Sequence, residues 1–435
     1  MSKKSLLCVT IVMLCLAGNT TFAGKTEICP NEFNIVPNSK NDQTSNIQKY
    51  LDAIYEKGGG PAKLEGGQYI VKGSIAVPPG VSLEGIWSTP HHSMPGKGTV
   101  IKAYNGRGTE NGAALFELRE NSSVRGLTII YPEQKLENIQ PYPWSIHGQG
   151  MHNTIENVTL VNSYQGICIG PEENELHSIR NVFGCVLRRG VKIASCTDIG
   201  RIENVHFNPH YWSRSGHDGV PKDAKSNPAI TVAIKTQKML EAFIFERTDW
   251  EYVLNTFVFG AKVGYLFTGK SENEACNGQF SGIGADMSQY CVVLERVQPY
   301  GILITNGEFV SGILDNSDKS QEKIGVLTKT TFKGSLQMSN CSFWGAFTNM
   351  IRLEGDGFVT LNQGTILNGV NEGPLMDIRA GRANVSSYMF KMNNPASHIY
   401  VGPAVKKVIV SNNFAEGGVK IENKAGDRLI SRDNE

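Results

Sequence analysis

Beyond residue 23 the 435-residue sequence has no apolar run near the roughly 20 residues that a membrane-crossing helix needs, so no helical insertion in a bilayer is expected. It also lacks an excess of either charge: 42 Lys and Arg stand against 41 Asp and Glu. Such a balance gives no electrostatic footprint for nucleic acid or an anionic membrane surface. The nine cysteines contain no CxxC or other metal-ligand spacing, so no metal site is expected from them. Seven of them lie beyond residue 23, an odd number at wide spacings, which fits buried small apolar side chains better than a disulfide framework. Cys185 and Cys196 form the pair to test for a disulfide.

Residues 1–23 read as an export signal rather than part of the fold. Lys3 and Lys4 form a charged start, Leu6 to Leu16 an apolar centre, and Thr21-Phe22-Ala23 a small-residue cleavage site. Leu14 precedes Cys15 where a lipoprotein signal would carry a small residue. The expected product is a secreted or periplasmic protein cut near Ala23, with 24–435 as a single domain.

What the sequence does have is a repeated phrase. It reads Ile155-Glu156-Asn157-Val158, then Ile179-Arg180-Asn181-Val182, then Ile202-Glu203-Asn204-Val205, with the asparagines 24 and then 23 residues apart. Val124-Arg125-Gly126-Leu127 is a degenerate earlier copy. The period is too short for helix–turn–helix repeats and the copies are β-branched, so the phrase predicts an all-β solenoid with stacked asparagine amides at a turn. Later coils place Asn306, Asn340, Asn362 and Asn412 after apolar strands. Irregular stretches near 131–150, 208–228 and 268–290 are expected as loops along one flank.

Ahead of the repeats, Ile47, Leu51 and Ile54 have helical spacing within about 46–57, and Gly58-Gly59-Gly60 stops them. Strands are expected at 62–64, 69–71, 75–77 and 81–83. A short amphipathic helix in front of a solenoid would cover the open end of its bore. Asp42 and Thr44, Ile47-Gln48, the triple glycine, and Gly67 with Tyr69 together resemble the amino-terminal signature of the pectate-lyase superfamily. That resemblance implies a single-stranded right-handed parallel β-helix with an N-terminal capping helix. It leaves activity open, because lyases, glycoside hydrolases, epimerase-like proteins and phage tailspikes share the signature.

Strand residues alternate between bore and surface. With Asn157, Asn181 and Asn204 inward, Arg125, Glu156, Arg180 and Glu203 form an outward column of alternating charge. Two residues on, a second outward column runs Thr159, Phe183, His206. Around its end, Arg189, Lys192, His206, His210 and Trp212 have the chemistry of a sugar site, with rings for pyranose faces and cations for carboxylates. Trp144 and His147 form a second such cluster, and Trp250 stands between two acids.

Glycoside hydrolysis uses two carboxyl groups. Asp249 and Glu251 on one strand would share a face about 7 Å apart, within the range for an inverting pair. Asp286, in a glycine-rich stretch, and Glu308, after a ladder asparagine, complete the catalytic pool. A lyase would instead use Lys192, Arg189 or His206 as base near a uronate, with calcium possible, although no dense acidic cluster is present. The chain has no Asp-Asp pair, so it departs from polygalacturonase-type hydrolases. Three readings stand: a hydrolase of a polysaccharide, a lyase, or a non-catalytic glycan-binding β-helix. The expected partner is a polysaccharide or oligosaccharide, and a homo-oligomer is left open.

Overall fold

The computed structural model describes residues 28–87, 97–216, 228–315, 320–367, 373–391 and 396–435. The expected signal, 1–23, lies outside them. Each coil of chain contributes three short strands, and each strand pairs in parallel with its counterpart one coil further on. Three stacked sheets result. Sheet A starts at Gly60–Lys63 and Val81–Glu84 and ends at Leu429–Arg432. Sheet B starts at Gly67–Val71 and Thr99–Ala103 and ends at Phe414–Ala415. Sheet C starts at Ile75–Val77 and Phe116–Leu118 and ends at Ile421–Asn423. One coil cannot bury its apolar side alone, so the inward residues of successive coils pack into one continuous bore. Phe243 and Tyr265 stack there on adjacent coils of sheet C, as do Phe245 and Phe267, and Phe207 of sheet B packs against Phe243.

The repeated asparagine is the corner between sheets A and B. Asn157, Asn181 and Asn204 all have left-handed backbone, with φ of 58°, 54° and 54°. Asn enters that region more readily than other side chains, and Gly126 supplies the same corner at φ 71°. The expected amide stack is present: Asn181 Nδ2 donates to Asn157 Oδ1 at 2.9 Å, and Asn204 Nδ2 to Asn181 Oδ1 at 2.8 Å. It does not point into the bore, however. Strand alternation fails at a left-handed residue, and the amides lie along the outer edge of the corner, with Asn204 exposed. The ladder continues through Asn255, Gly282, Asn306, Asn340, Gln363, Ser387 and Asn412. At the coil where Asn362 was expected, the corner residue is its neighbour Gln363, and Asn362 ends the strand. The charge column is as predicted: Arg125, Glu156, Arg180 and Glu203 stand in register, with Arg125 at 3.3 Å and Arg180 Nε at 3.1 Å from Glu156.

Helix α1, Thr44–Glu56, buries Ile47, Tyr50, Leu51 and Ile54 over the first coil. The signature residues ahead of the repeats turn out to be its fastenings. Asp42 accepts from the backbone N–H of Thr44 and Lys72, and Gln48 pairs through both amide atoms with the backbone of Ala76, at 2.8 and 2.9 Å. This closes the free edge of sheet C.

All seven described cysteines are free thiols, six of them buried, so Cys185 and Cys196 form no disulfide. Within the expected irregular stretch near 208–228 the chain forms α2, His210–Ser213; residues 217–227 lie outside the described residues, and α3, Pro228–Met239, follows them. Near 131–150 only the first part is irregular, since Trp144–Gly148 is a sheet C strand. Most of 276–290 is also regular: Cys276–Ser281 and Gly284–Ser288 belong to sheets A and B.

Candidate functional site

Asp249 and Glu251 do not share a face. Trp250 between them takes left-handed backbone, φ 59°, and the pairing register shifts there, which breaks the alternation of strand Thr248–Leu254. Asp249 stays at the surface beside Arg247, at 3.3 Å. Glu251 turns into the bore and is fully buried, where His177 Nε2 lies 3.1 Å from its Oε1 and Thr248 donates to its other oxygen at 2.7 Å. A glutamate so enclosed cannot reach a polymer, so the sequence-based pairing of these two acids is overturned.

Several expected binding residues are also inside. Trp212, within α2, is fully buried. The column Thr159, Phe183, His206 is in register as predicted, but a lid of aromatics covers it. Trp87 donates to Thr159 at 2.8 Å and stacks on Phe183, while Tyr211 of α2 packs against Phe183 and His206. His206 is half-buried with its edge against Phe257, and His210 is half-buried at the start of α2.

The other cluster sits on the outer face of sheet C. Glu117, His147, Cys168 and Lys192 occupy one column on four successive coils, and Trp144, Gln165 and Arg189 occupy a neighbouring one. Their charges are matched. His147 lies 2.8 Å from Glu117 and 3.3 Å from Glu172. Burial disfavours its cation, but the hydrogen bond and charge of Glu117 outweigh that and raise its pKa. Arg189 pairs with Glu110 at 3.1 Å and Lys192 with Glu246 at 2.7 Å.

The structure does bring Asp286 and Glu308 together. They belong to consecutive strands of sheet B, Gly284–Ser288 and Glu308–Ser311, with Gly284 opposite Glu308 and Asp286 opposite Val310. Between them the inward positions are Ala285 and Phe309, so both acids face outward. One coil and two residues of offset set their Cα atoms about 8 Å apart. Their environments differ. Asp286 is half-buried and desolvation raises its pKa, opposed in part by a hydrogen bond from the Met287 backbone. Glu308 is exposed.

Rings bracket the pair along the solenoid axis. Phe257 precedes Gly284 in the column of Glu308, and Trp344 follows Val310 in the column of Asp286. Gly284 keeps the floor open: a Cβ there would meet Phe257 at 2.9 Å. Helix α3 borders the far end of these strands, where Thr236 donates to Gly260 O and Gln237 to Met287 O. Trp344 was not singled out in the sequence, because its place beside Asp286 appears only once the coils are in register.

Among the described residues, one group of three His, Cys, Asp or Glu side chains brings its ligand atoms within 4.8 Å of one another: His177, Cys196 and Glu251. One nitrogen, one sulfur and one carboxylate suit a softer ion than calcium, which takes six or more oxygens. The short His177–Glu251 contact already accounts for two of them as an ion pair.

No protein-family model and no curated protein sequence matches the chain. Solved structures do. A double mutant of the tailspike protein of E. coli bacteriophage HK620 is similar over 92% of this chain and 75% of its own, with 9% identity and a TM-score of 0.50. The A-module of the Azotobacter vinelandii mannuronan C-5 epimerase AlgE6 is similar over 85% of this chain and 100% of its own, with 14% identity and a TM-score of 0.49. At such identities the likeness concerns the fold alone, and the fold is a right-handed parallel β-helix.

Proposed function

We propose that the protein is an exported carbohydrate-active enzyme that hydrolyses glycosidic bonds of a polysaccharide on the outer face of sheet B, with Asp286 as general acid and Glu308 as general base. One observation carries this reading: two outward acids on adjacent coils, their Cα atoms about 8 Å apart, one half-buried with its pKa raised by desolvation and the other exposed. Asp286, whose pKa desolvation raises, gives its proton to the glycosidic oxygen as the C–O bond breaks. Glu308 takes a proton from the water that attacks the anomeric carbon from the opposite side. The water attacks the anomeric carbon directly and no bond to the enzyme forms, so the product sugar has inverted configuration. Phe257 and Trp344 offer ring faces to the sugars on either side.

Elimination has less support. Arg189 and Lys192, two of the three residues expected as its base, are each tied to a glutamate. The export signal at residues 1–23 would bring the enzyme to polymers outside the cytoplasm. The test is digestion of a panel of plant and algal polysaccharides, following reducing ends together with absorbance near 235 nm. New reducing ends without absorbance are expected, and unsaturated product would contradict the reading.

A further inference from the structure

The strain at Trp250 is unexplained by the acids on sheet B. A bulky side chain at φ 59° is strained and persists only where its surroundings hold it. Here the hold is specific: the Trp250 N–H donates to Asn277 Oδ1 at 3.1 Å, and Asn277 Nδ2 donates to Gln298 Oε1 at 2.7 Å. Gln298 Nε2 in turn donates to Ala275 O at 2.9 Å and to Asp249. The result is a ring turned outward over an ordered polar floor. Trp250 is 60% exposed and Tyr300 is 81% exposed, yet both line the same cleft of about 520 Å³, with Arg247, Asp249, Asn273, Asn277 and Gln298.

We propose that this cleft is a glycan-docking site, separate from the acids, that takes pyranose rings of a polysaccharide. Two exposed rings offer apolar faces to the C–H faces of sugars, and planar amides beside them offer donors and acceptors to the hydroxyls. The floor's mutual hydrogen bonds fix these groups before a ligand arrives, which lowers the ordering cost of binding. Asp249 is already engaged by Arg247 and Gln298, so it serves as an acceptor for hydroxyls and not as the acid or base of cleavage.

The location gives docking a purpose. Trp250, Asn277 and Tyr300 lie on three successive sheet A strands, and the same three coils carry Phe257, Asp286 and Glu308 in sheet B. The two sites are on the order of 20 Å apart along the strands. Between them Tyr252 and Leu254 also face outward, 36% and 42% exposed. A polymer held at the cleft is thus kept beside the acids, while a short oligosaccharide cannot reach both. Docking stands without the hydrolase reading, and only its coupling to cleavage rests on that reading.

The test is affinity electrophoresis of the full chain in gels cast with xylan, homogalacturonan, alginate or mixed-linkage β-glucan. The wild-type protein and Glu308→Gln should be retarded alike in at least one gel. The double variant Trp250→Ala/Tyr300→Ala, with an unchanged circular dichroism spectrum, should lose at least tenfold in affinity there. Retardation of the double variant equal to wild type would overturn the proposal, as would no retardation of the wild type in any gel. An active Glu308→Gln enzyme that still docks would remove the catalytic assignment and leave this one standing.

Discussion

His177 and Glu251 meet at 3.1 Å inside the bore, both side chains fully buried, on coils separated by the one that carries Gly200. Gly200 is what lets the ring reach across, since a Cβ at that position would meet the His177 ring at 2.1 Å and Glu251 at 2.2 Å. Burial opposes the imidazolium, but the charge of Glu251 outweighs it and moves the His177 pKa up to about 10. Removing one partner of such a pair leaves a buried charge alone, which costs about 3–5 kcal/mol. His177→Ala should therefore lower the denaturation midpoint far more than a surface substitution does.

The same pair sets a pH dependence. The ring titrates near 6.5 in an unfolded chain and near 10 when folded. Its contribution to stability is complete below roughly pH 6.5 and is lost as pH rises through about 10. Melting temperatures measured from pH 6 to pH 10 should fall in the wild type. The fall should be much smaller in His177→Ala.

The corner ladder makes a contrast between two substitutions at one position. Asn181 gives one amide bond to Asn157 and receives one from Asn204, with left-handed backbone. Asn181→Gly keeps the backbone geometry and loses the bonds, about 0.5–1.5 kcal/mol each. Asn181→Ala adds the left-handed penalty of roughly 1–2 kcal/mol. Alanine should be the worse of the two in urea unfolding.

At the capped end, Gln48→Ala removes both amide bonds to Ala76 and leaves a strand edge of sheet C open. Open edges pair with other chains. The variant should associate at concentrations where the wild type shows a single species in sedimentation velocity.

The fold was legible in the sequence because its signals are periodic. The Ile-x-Asn-Val phrase marks the coil length, and Asp42, Thr44, Gln48 and the glycines mark the cap. The site was only partly legible. Asp286 and Glu308 were visible as acids but 22 residues apart, and their adjacency needs the coil register. Asp249 and Glu251 looked like a pair because alternation was assumed through Trp250, where a left-handed residue reverses the following side chain. Trp212 and His206 looked like a surface cluster because nothing in the sequence says that Trp87 and Tyr211 fold over that column.

Activity should also carry the signature of the two acids. As the proposed general acid Asp286 would work protonated, and its pKa is raised by desolvation, so the rate should fall on the alkaline side as that proton is lost. The decisive measurement is turnover of a cleaved polysaccharide by Asp286→Asn and Glu308→Gln, each with its melting temperature checked against wild type. The account predicts folded proteins with rates reduced at least a hundredfold, while Asp249→Asn, at saturating polymer, keeps most of its rate and loses at most affinity. Full activity in either sheet B variant, or loss confined to Asp249→Asn, would contradict it.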